Sequence, residues 1–382
     1  MQALKTYFQR HGHAPFKVGE GRISGYLSAG LGLLSLLAVM CFLFPEWLTT
    51  TELRHVYSEQ FARSVLLIGL LLSFALGTLN VLLGKRRRLG LTGISASGLA
   101  LFFGGTNVQF AQIGHTPYSL GLDWFVLALL FSALVFIPLE KLYAKDPEQN
   151  ILRAHWRTDL SYFFISHMLV QFILIFATAS SSWLIGWAVS SDFQARVQSL
   201  PWLVQFLLAV LLADLGQYWL HRLYHTLPWL WRLHAVHHSS TAMDWLAGSR
   251  IHFIEILLTR SAVLLPLILM GFSTQALNAY VILVGVQAVL AHANIAIRGS
   301  WLDYLLVLPR YHHWHHAKDP AYAYKNYAIH LPLVDMLFGT FKLPKQAWPT
   351  QYGVLGKALP DGILRQQLWS FRRQPSKPKV NN

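Results

Sequence analysis

Apolar runs of about twenty residues recur along the chain, and runs of that length leave few folds open. They fall at about 26–44, 64–83, 91–113, 122–139, 160–190, 201–220, 256–272 and 275–293, the last two separated only by Gly271 to Thr274. In hydrocarbon, every backbone N–H and C=O needs a partner inside the protein, and a helix supplies all of them within one segment. The predicted fold is therefore all-α, a polytopic integral membrane protein of about eight transmembrane helices. Composition agrees. Of 382 residues, 54% are hydrophobic and only 13% charged, where a soluble domain carries roughly a quarter charged.

The charge distribution gives an orientation. The net charge of +14 would raise nucleic acid as a partner if the basic residues formed a folded patch. Instead they sit between the apolar runs, where the bias of Lys and Arg towards cytoplasmic loops accounts for them. With the N-terminus inside, the Lys85-Arg86-Arg87-Arg88 run, the 140–159 loop (Lys141, Lys145, Arg153, Arg157) and the segment beyond 294 (Arg310, Lys318, Lys325, Lys342, Lys345) all fall on the cytoplasmic side. The expected location is a bacterial inner membrane or its equivalent, both termini cytoplasmic and no nucleic acid bound. Cys41 is the only cysteine, which excludes an internal disulfide and a thiolate metal site. The first apolar run has no cleavage-site pattern after it and reads as a retained anchor.

Three short histidine runs stand out against this apolar background. His221 and His225 are four apart; His234, His237 and His238 follow the i, i+3, i+4 spacing; His312, His315 and His316 repeat it. On a helix such spacings bring side chains to one face, and imidazole is the commonest metal-ligating side chain. With His292 at the end of the last apolar run, the nitrogens suffice for two neighbouring metals. His313 lies off the shared face and reads as a bystander. His11, His13, His55, His115, His155, His167 and His330 are scattered, as solvated or interfacial histidines would be.

Three further residues are candidates for orienting a ligand or adding one. Asp214, at the end of an apolar run, needs a partner there; it can receive an imidazole N–H or pair with Arg222. His252 and Glu255, in SRIHFIE, can be an extra ligand and a supporting carboxylate, or interfacial residues that cap the next span. Ligand type alone does not decide the metal, since imidazole suits iron, zinc, copper and nickel. A hydrolytic zinc site of the HExxH kind is absent. No catalytic side chain beyond the metal ligands and no cofactor-binding motif is evident.

The segments DLGQYWLHRLYH (214–225), LWRLHAVHHSS (230–240), PRYHHWHH (309–316) and NYAIHLPLVDMLFGTF (326–341) resemble the fatty acid hydroxylase/sterol desaturase superfamily of integral-membrane di-iron oxygenases. The resemblance covers roughly 210–345. It implies a helical membrane domain with a cytoplasmic, histidine-rich metal-binding cap. The implied iron ligands are His221, His225, His234, His237, His238, His312, His315 and His316, with His292 in a ligand-bearing stretch. It further implies two iron ions, O2, a lipid substrate (fatty acid, sterol or glyceryl ether type) that is hydroxylated or desaturated, and electrons from a separate electron-transfer protein. The domain plan is an N-terminal membrane region of four spans at 1–155, the hydroxylase-like domain at 156–345, and a polar basic tail at 346–382. A metal transporter, or a non-catalytic membrane protein with a structural zinc site, are the alternatives.

Overall fold

A computed structural model of the chain describes residues 22–50, 58–83, 87–109, 121–168, 189–297, 301–345, 347–356 and 358–372. Several expectations fall outside these residues: the N-terminal basic segment with His11 and His13, His55, Lys85 and Arg86, His115, most of the fifth apolar run, and the end of the tail. Among the described residues there are helices and no strand, only the isolated bridges Ala144–Ile295 and Ala317–Tyr352. The chain is an all-α, multi-pass membrane protein.

Contacts divide it into two units, 1–128 and 129–382, the division falling inside one helix. The first unit is built on α1 (Arg22–Leu43), α2 (Glu59–Leu83) and α3 (Arg87–Phe102). On α2, Leu67, Leu71 and Leu82 point outwards, 48%, 61% and 69% exposed, whereas Ser73 and Asn80 are buried. An apolar outside over a polar inside is stable only where the surroundings are lipid. The inside is a seam of small residues: the Ser28 and Ser73 hydroxyls each donate to the other's backbone carbonyl at 2.8 Å, and Gly90 N–H donates to Asn80 Oδ1 at 3.1 Å. Gly93 lets α3 approach α1 closely, since a Cβ there would overlap the Ser28 hydroxyl and backbone. The glycines that weaken the third apolar run as a hydropathy signal are what let the helices close.

The division between units falls within α4 (Leu122–Leu142). The second unit contains α5 (Trp202–Thr226), α6 (Pro228–His234), α7 (Phe253–Leu269), α8 (Thr274–His292), α9 (Pro309–His315), α10 (Pro332–Leu337) and α11 (Ile363–Trp369), besides shorter pieces. The expected hairpin is present: Gly271 turns the chain at φ 81°, and the Ser273 hydroxyl caps α8 by accepting the Ala276 N–H. Among the described residues, six helices are long and apolar enough to cross a membrane: Ser24–Leu43, Glu59–Leu83, Arg87–Asn107, α4, α5 and α8. Of the other two expected spans, the 160–190 run is helical over 160–168, and α7 has 17 residues with Pro266 inside it. Within the 346–382 segment, α11 buries Gln366 and Gln367.

Candidate metal centre

Local sequence explains how each histidine is aimed. On α5 the buried stripe includes Asp214, Tyr218, His221 and His225, so both imidazoles ride the helix face that meets the rest of the unit. Leu227 is extended, and Pro228 at the first turn restarts the helix as α6, which ends at His234. A 3-10 turn follows at His237–Ser239. His292 is the last residue of α8, and α9, again opened by a proline, carries His312 and His315.

These elements bring all nine expected histidines into two groups, every one buried. His221, His225, His234, His238 and His315 form the first; His237, His292, His312 and His316 form the second, with the candidate ligand atoms of each group within 4.8 Å of one another. The groups adjoin: the His238 and His316 rings stack at 4.3 Å. The runs do not each converge on one point, as their spacing implies. Pairs four apart stay together (His221 with His225, His234 with His238, His312 with His316), while the residue at i+3, His237 or His315, joins the other group. Along α9 and its C-cap, positions i+3 and i+4 from His312 lie on either side of it around a helix of 3.6 residues per turn; in the other run the chain leaves α6 at His234, and a 3-10 turn carries His237 and His238.

The hydrogen bonds fix what these rings can do. Nδ1 of His221 donates to the Tyr327 carbonyl at 2.7 Å, that of His225 to Ala323 at 3.0 Å, and that of His315 to Lys325 at 2.9 Å. Nδ1 of His237 donates to the Arg250 carbonyl at 3.0 Å, and that of His292 to Ala288 at 2.7 Å. His234 Nδ1 donates to Glu255 Oε1 at 2.6 Å. A carbonyl only accepts, so in the five rings that face one the hydrogen sits on Nδ1 and Nε2 is a bare lone pair. Yet Nε2 of His237 stands 3.3 Å from Nε2 of His292. Two lone pairs at that distance repel unless a cation lies between them. Two nitrogens at right angles on one ion, each at ~2.1 Å, would stand about 3.0 Å apart. The residues present fit metal ions.

Electrostatics point the same way. Burial, reinforced by the neighbouring imidazoles, pushes His234, His238, His312, His315 and His316 well below the ordinary imidazole range, and burial takes His237 down to about 4. The rings are held neutral, the form that ligates. The Nε2 of His315 and the Nδ1 of His316 are buried without a hydrogen-bond partner.

The remaining candidates have other surroundings. Glu255 orients His234. His252 joins neither group: its Nδ1 caps α7 by accepting the Ile254 N–H, and its Nε2 donates to the Gln367 carbonyl. Asp214 receives no imidazole and does not pair with Arg222; it accepts the backbone N–H groups of Ile329, His330 and Leu331. His330, expected at a solvated or interfacial position, is buried, with Nδ1 donating to Gln287 Oε1 at 2.6 Å. His313 stands outside both groups, between the Tyr352 hydroxyl and the His292 carbonyl. Sequence reasoning missed the carbonyls of Tyr327, Ala323, Lys325, Arg250 and Ala288, for any residue type supplies a carbonyl. It also missed the buried ion cluster that holds Arg250: Asp159 pairs with both Arg250 and Arg153, and Arg153 reaches Asp244 at 2.9 Å.

The site thus belongs to an α-helical membrane chain and consists of two adjoining groups of buried imidazoles, six of them anchored at their outer nitrogens, each group able to hold a metal ion. Residues 206–340 match the fatty acid hydroxylase family model, a match consistent with the fatty acid hydroxylase/sterol desaturase superfamily, as are the relatives that the chain resembles. It is 34% identical over 177 residues to the ornithine lipid hydroxylase OlsE of Rhizobium tropici, covering 46% of this chain and 53% of that one. It is 32% identical to the alkylglycerol monooxygenase of Danio rerio over 35% of this chain and 30% of that one, and 27% identical to the human enzyme of that name over 38% and 33%. The matches thus span about half the length of the first relative and a third or less of the others. No solved structure matches the chain.

Proposed function

We propose that the chain is a membrane-bound, O2-dependent oxidoreductase that hydroxylates or desaturates the aliphatic part of a lipid at a non-haem di-iron centre. The observation that carries this reading is the inward-facing lone pairs in both histidine groups. The relatives that hydroxylate lipids support the substrate class. On this reading His221, His225, His234, His238 and His315 hold one ion, and His237, His292, His312 and His316 hold the other. Iron bound there would supply the O2-dependent oxidation of an unactivated C–H bond.

The chain's own residues do the rest. Backbone carbonyls and Glu255 hold the Nδ1 of six of the nine rings, which keeps those rings from turning and their Nε2 free to ligate. Burial of all nine rings keeps water from the centre, and the apolar helices present the lipid chain. The lipid is of fatty acid, sterol or glyceryl ether type, and the electrons come from a separate electron-transfer protein. The histidine groups and both termini face the cytoplasm. Residues 1–155 are an accessory membrane region, 156–345 the oxygenase domain and 346–382 a basic C-terminal segment.

Lipid extracts incubated with purified protein, a chemical reductant and isotopically heavy O2 test the reading. One heavy oxygen atom should enter a lipid hydroxyl, or a lipid should lose two hydrogens. A fully metal-loaded sample that leaves every lipid unchanged while consuming no O2 would contradict it.

A further inference from the structure

The carbonyl partners of the first histidine group share one origin. Ala323, Lys325 and Tyr327, which accept from His225, His315 and His221, are alternate residues of a single loop. Those histidines lie on two different helices, so the loop ties three of the group's five rings together. None of its carbonyls accepts from the second group, whose His237 and His292 donate to Arg250 and Ala288. Between Lys325 and Tyr327, Asn326 takes φ 62°, a left-handed conformation that asparagine tolerates better than most side chains. Its side chain bridges the Lys342 N–H and C=O at 2.8 Å each.

Two buried carboxylates pin this loop through its backbone. Asp214 Oδ1 accepts from Ile329 N–H at 2.8 Å and His330 N–H at 3.1 Å, and Oδ2 from Leu331 N–H at 2.7 Å. Asp335 accepts from Tyr327 N–H at 2.9 Å and Ala328 N–H at 2.6 Å, from the Thr340 hydroxyl at 2.6 Å, and from the Tyr311 hydroxyl of α9 at 2.5 Å. Five consecutive backbone donors are thereby committed, and both carboxylates are fully buried. Asp214 rides the same helix as His221, two turns earlier, so one helix supplies two ligands and the anchor of the loop that orients them.

We propose that Asp214 and Asp335 are positioning residues for the first histidine group alone, acting through the 323–331 loop. They set the tautomer and direction of His221, His225 and His315 and leave the second group to the Arg250 and Ala288 carbonyls. The proposal rests on the metal reading above, and goes beyond it in making the two positions separately adjustable.

The test uses the full chain in detergent, stripped of metal and titrated with Zn2+ against a competing chelator. Wild type should take up two ions. Asp214→Ala should weaken one of them by about 10–100-fold, the usual effect of losing a group that orients a ligand, with the other unchanged. Asp214→Asn, which keeps one acceptor oxygen, should fall between. His316→Ala should weaken the opposite ion. Combining Asp214→Ala with His316→Ala should weaken both, whereas combining it with His315→Ala should add little to His315→Ala alone. Wild type that binds no metal overturns the metal reading itself. Wild type binding two ions, with Asp214→Ala unchanged or weakening both equally, overturns this proposal. If Asp214→Ala does not fold, judged by its melting curve, Asp214→Asn and Asp335→Asn carry the same comparison.

Discussion

The chemistry of the centre turns on where single hydrogens sit. A histidine whose Nδ1 faces a carbonyl presents a bare Nε2, and six of the nine rings are fixed this way or by Glu255. His315→Ala should therefore lower activity by more than about 100-fold, beyond the effect of losing a group that only orients a ligand, with loss of bound metal. His313→Ala should keep the metal and cost about 1–3 kcal/mol of stability, because it leaves the buried Tyr352 hydroxyl without its partner. Equal metal loss in the two variants, measured at equal expression, would move His313 into the centre. A second expectation follows from burial. His237 is lowered to about 4, while an unfolded imidazole titrates near ~6.5. As pH falls below ~6.5 the unfolded chain takes up a proton that the buried ring refuses, so folding stability declines until about pH 4. Above ~6.5 the ring is neutral in both states and contributes no slope. Melting temperatures of chelator-treated protein should fall across that window, and a flat profile would contradict the account. The histidines themselves were legible because their spacing survives in the sequence. Asp214 was not, since the need for a partner was evident but backbone amides 115 to 117 residues away leave no side-chain pattern. His330 looked scattered for a similar reason, its partner being Gln287 on another helix.

The helices were legible as apolar runs, and their ends less so. Expected spans at about 64–83 and 201–220 lengthen to Glu59–Leu83 and Trp202–Thr226. The second difference has consequences, since it puts His221 and His225 within the spanning helix itself. Hydropathy misses such an extension, because histidine lowers the score while continuing the helix. The same limit applies to partition between the groups: spacing reveals that His234, His237 and His238 act together, but not that the i+3 member crosses over, which depends on a second set of ligands facing it. In the first unit, glycine content reads from sequence as weak hydropathy and from structure as close packing. Gly93→Val should lower thermal stability by about 1–3 kcal/mol or more through overpacking, because its Cβ would overlap Ser28. Gly98→Ala, on the open side of α3 with nothing within 4 Å, should leave the melting temperature unchanged. Equal effects from the two would mean that α1 and α3 do not meet along this seam.

At the scale of the whole molecule, the proposed orientation, with Lys- and Arg-rich segments on the cytoplasmic side, has a direct test. Cysteine-accessibility labelling in a Cys41-free background should find positions near Lys145 and Lys345 reactive only from the cytoplasmic side; labelling near Lys345 from outside intact cells would reverse the assignment. The histidine groups lie between the ends of α5 and α8 and the short helices α6 and α9, so the centre follows whichever side those ends face. The central claim is that two adjoining groups of five and four imidazoles each hold a metal ion. Metal analysis of active, purified protein, normalised to chain concentration, tests this most directly. Two iron ions per chain are predicted, with occupancy and turnover rising together on reconstitution. A fully active preparation that saturates at one ion per chain, or turns over with none, would contradict it.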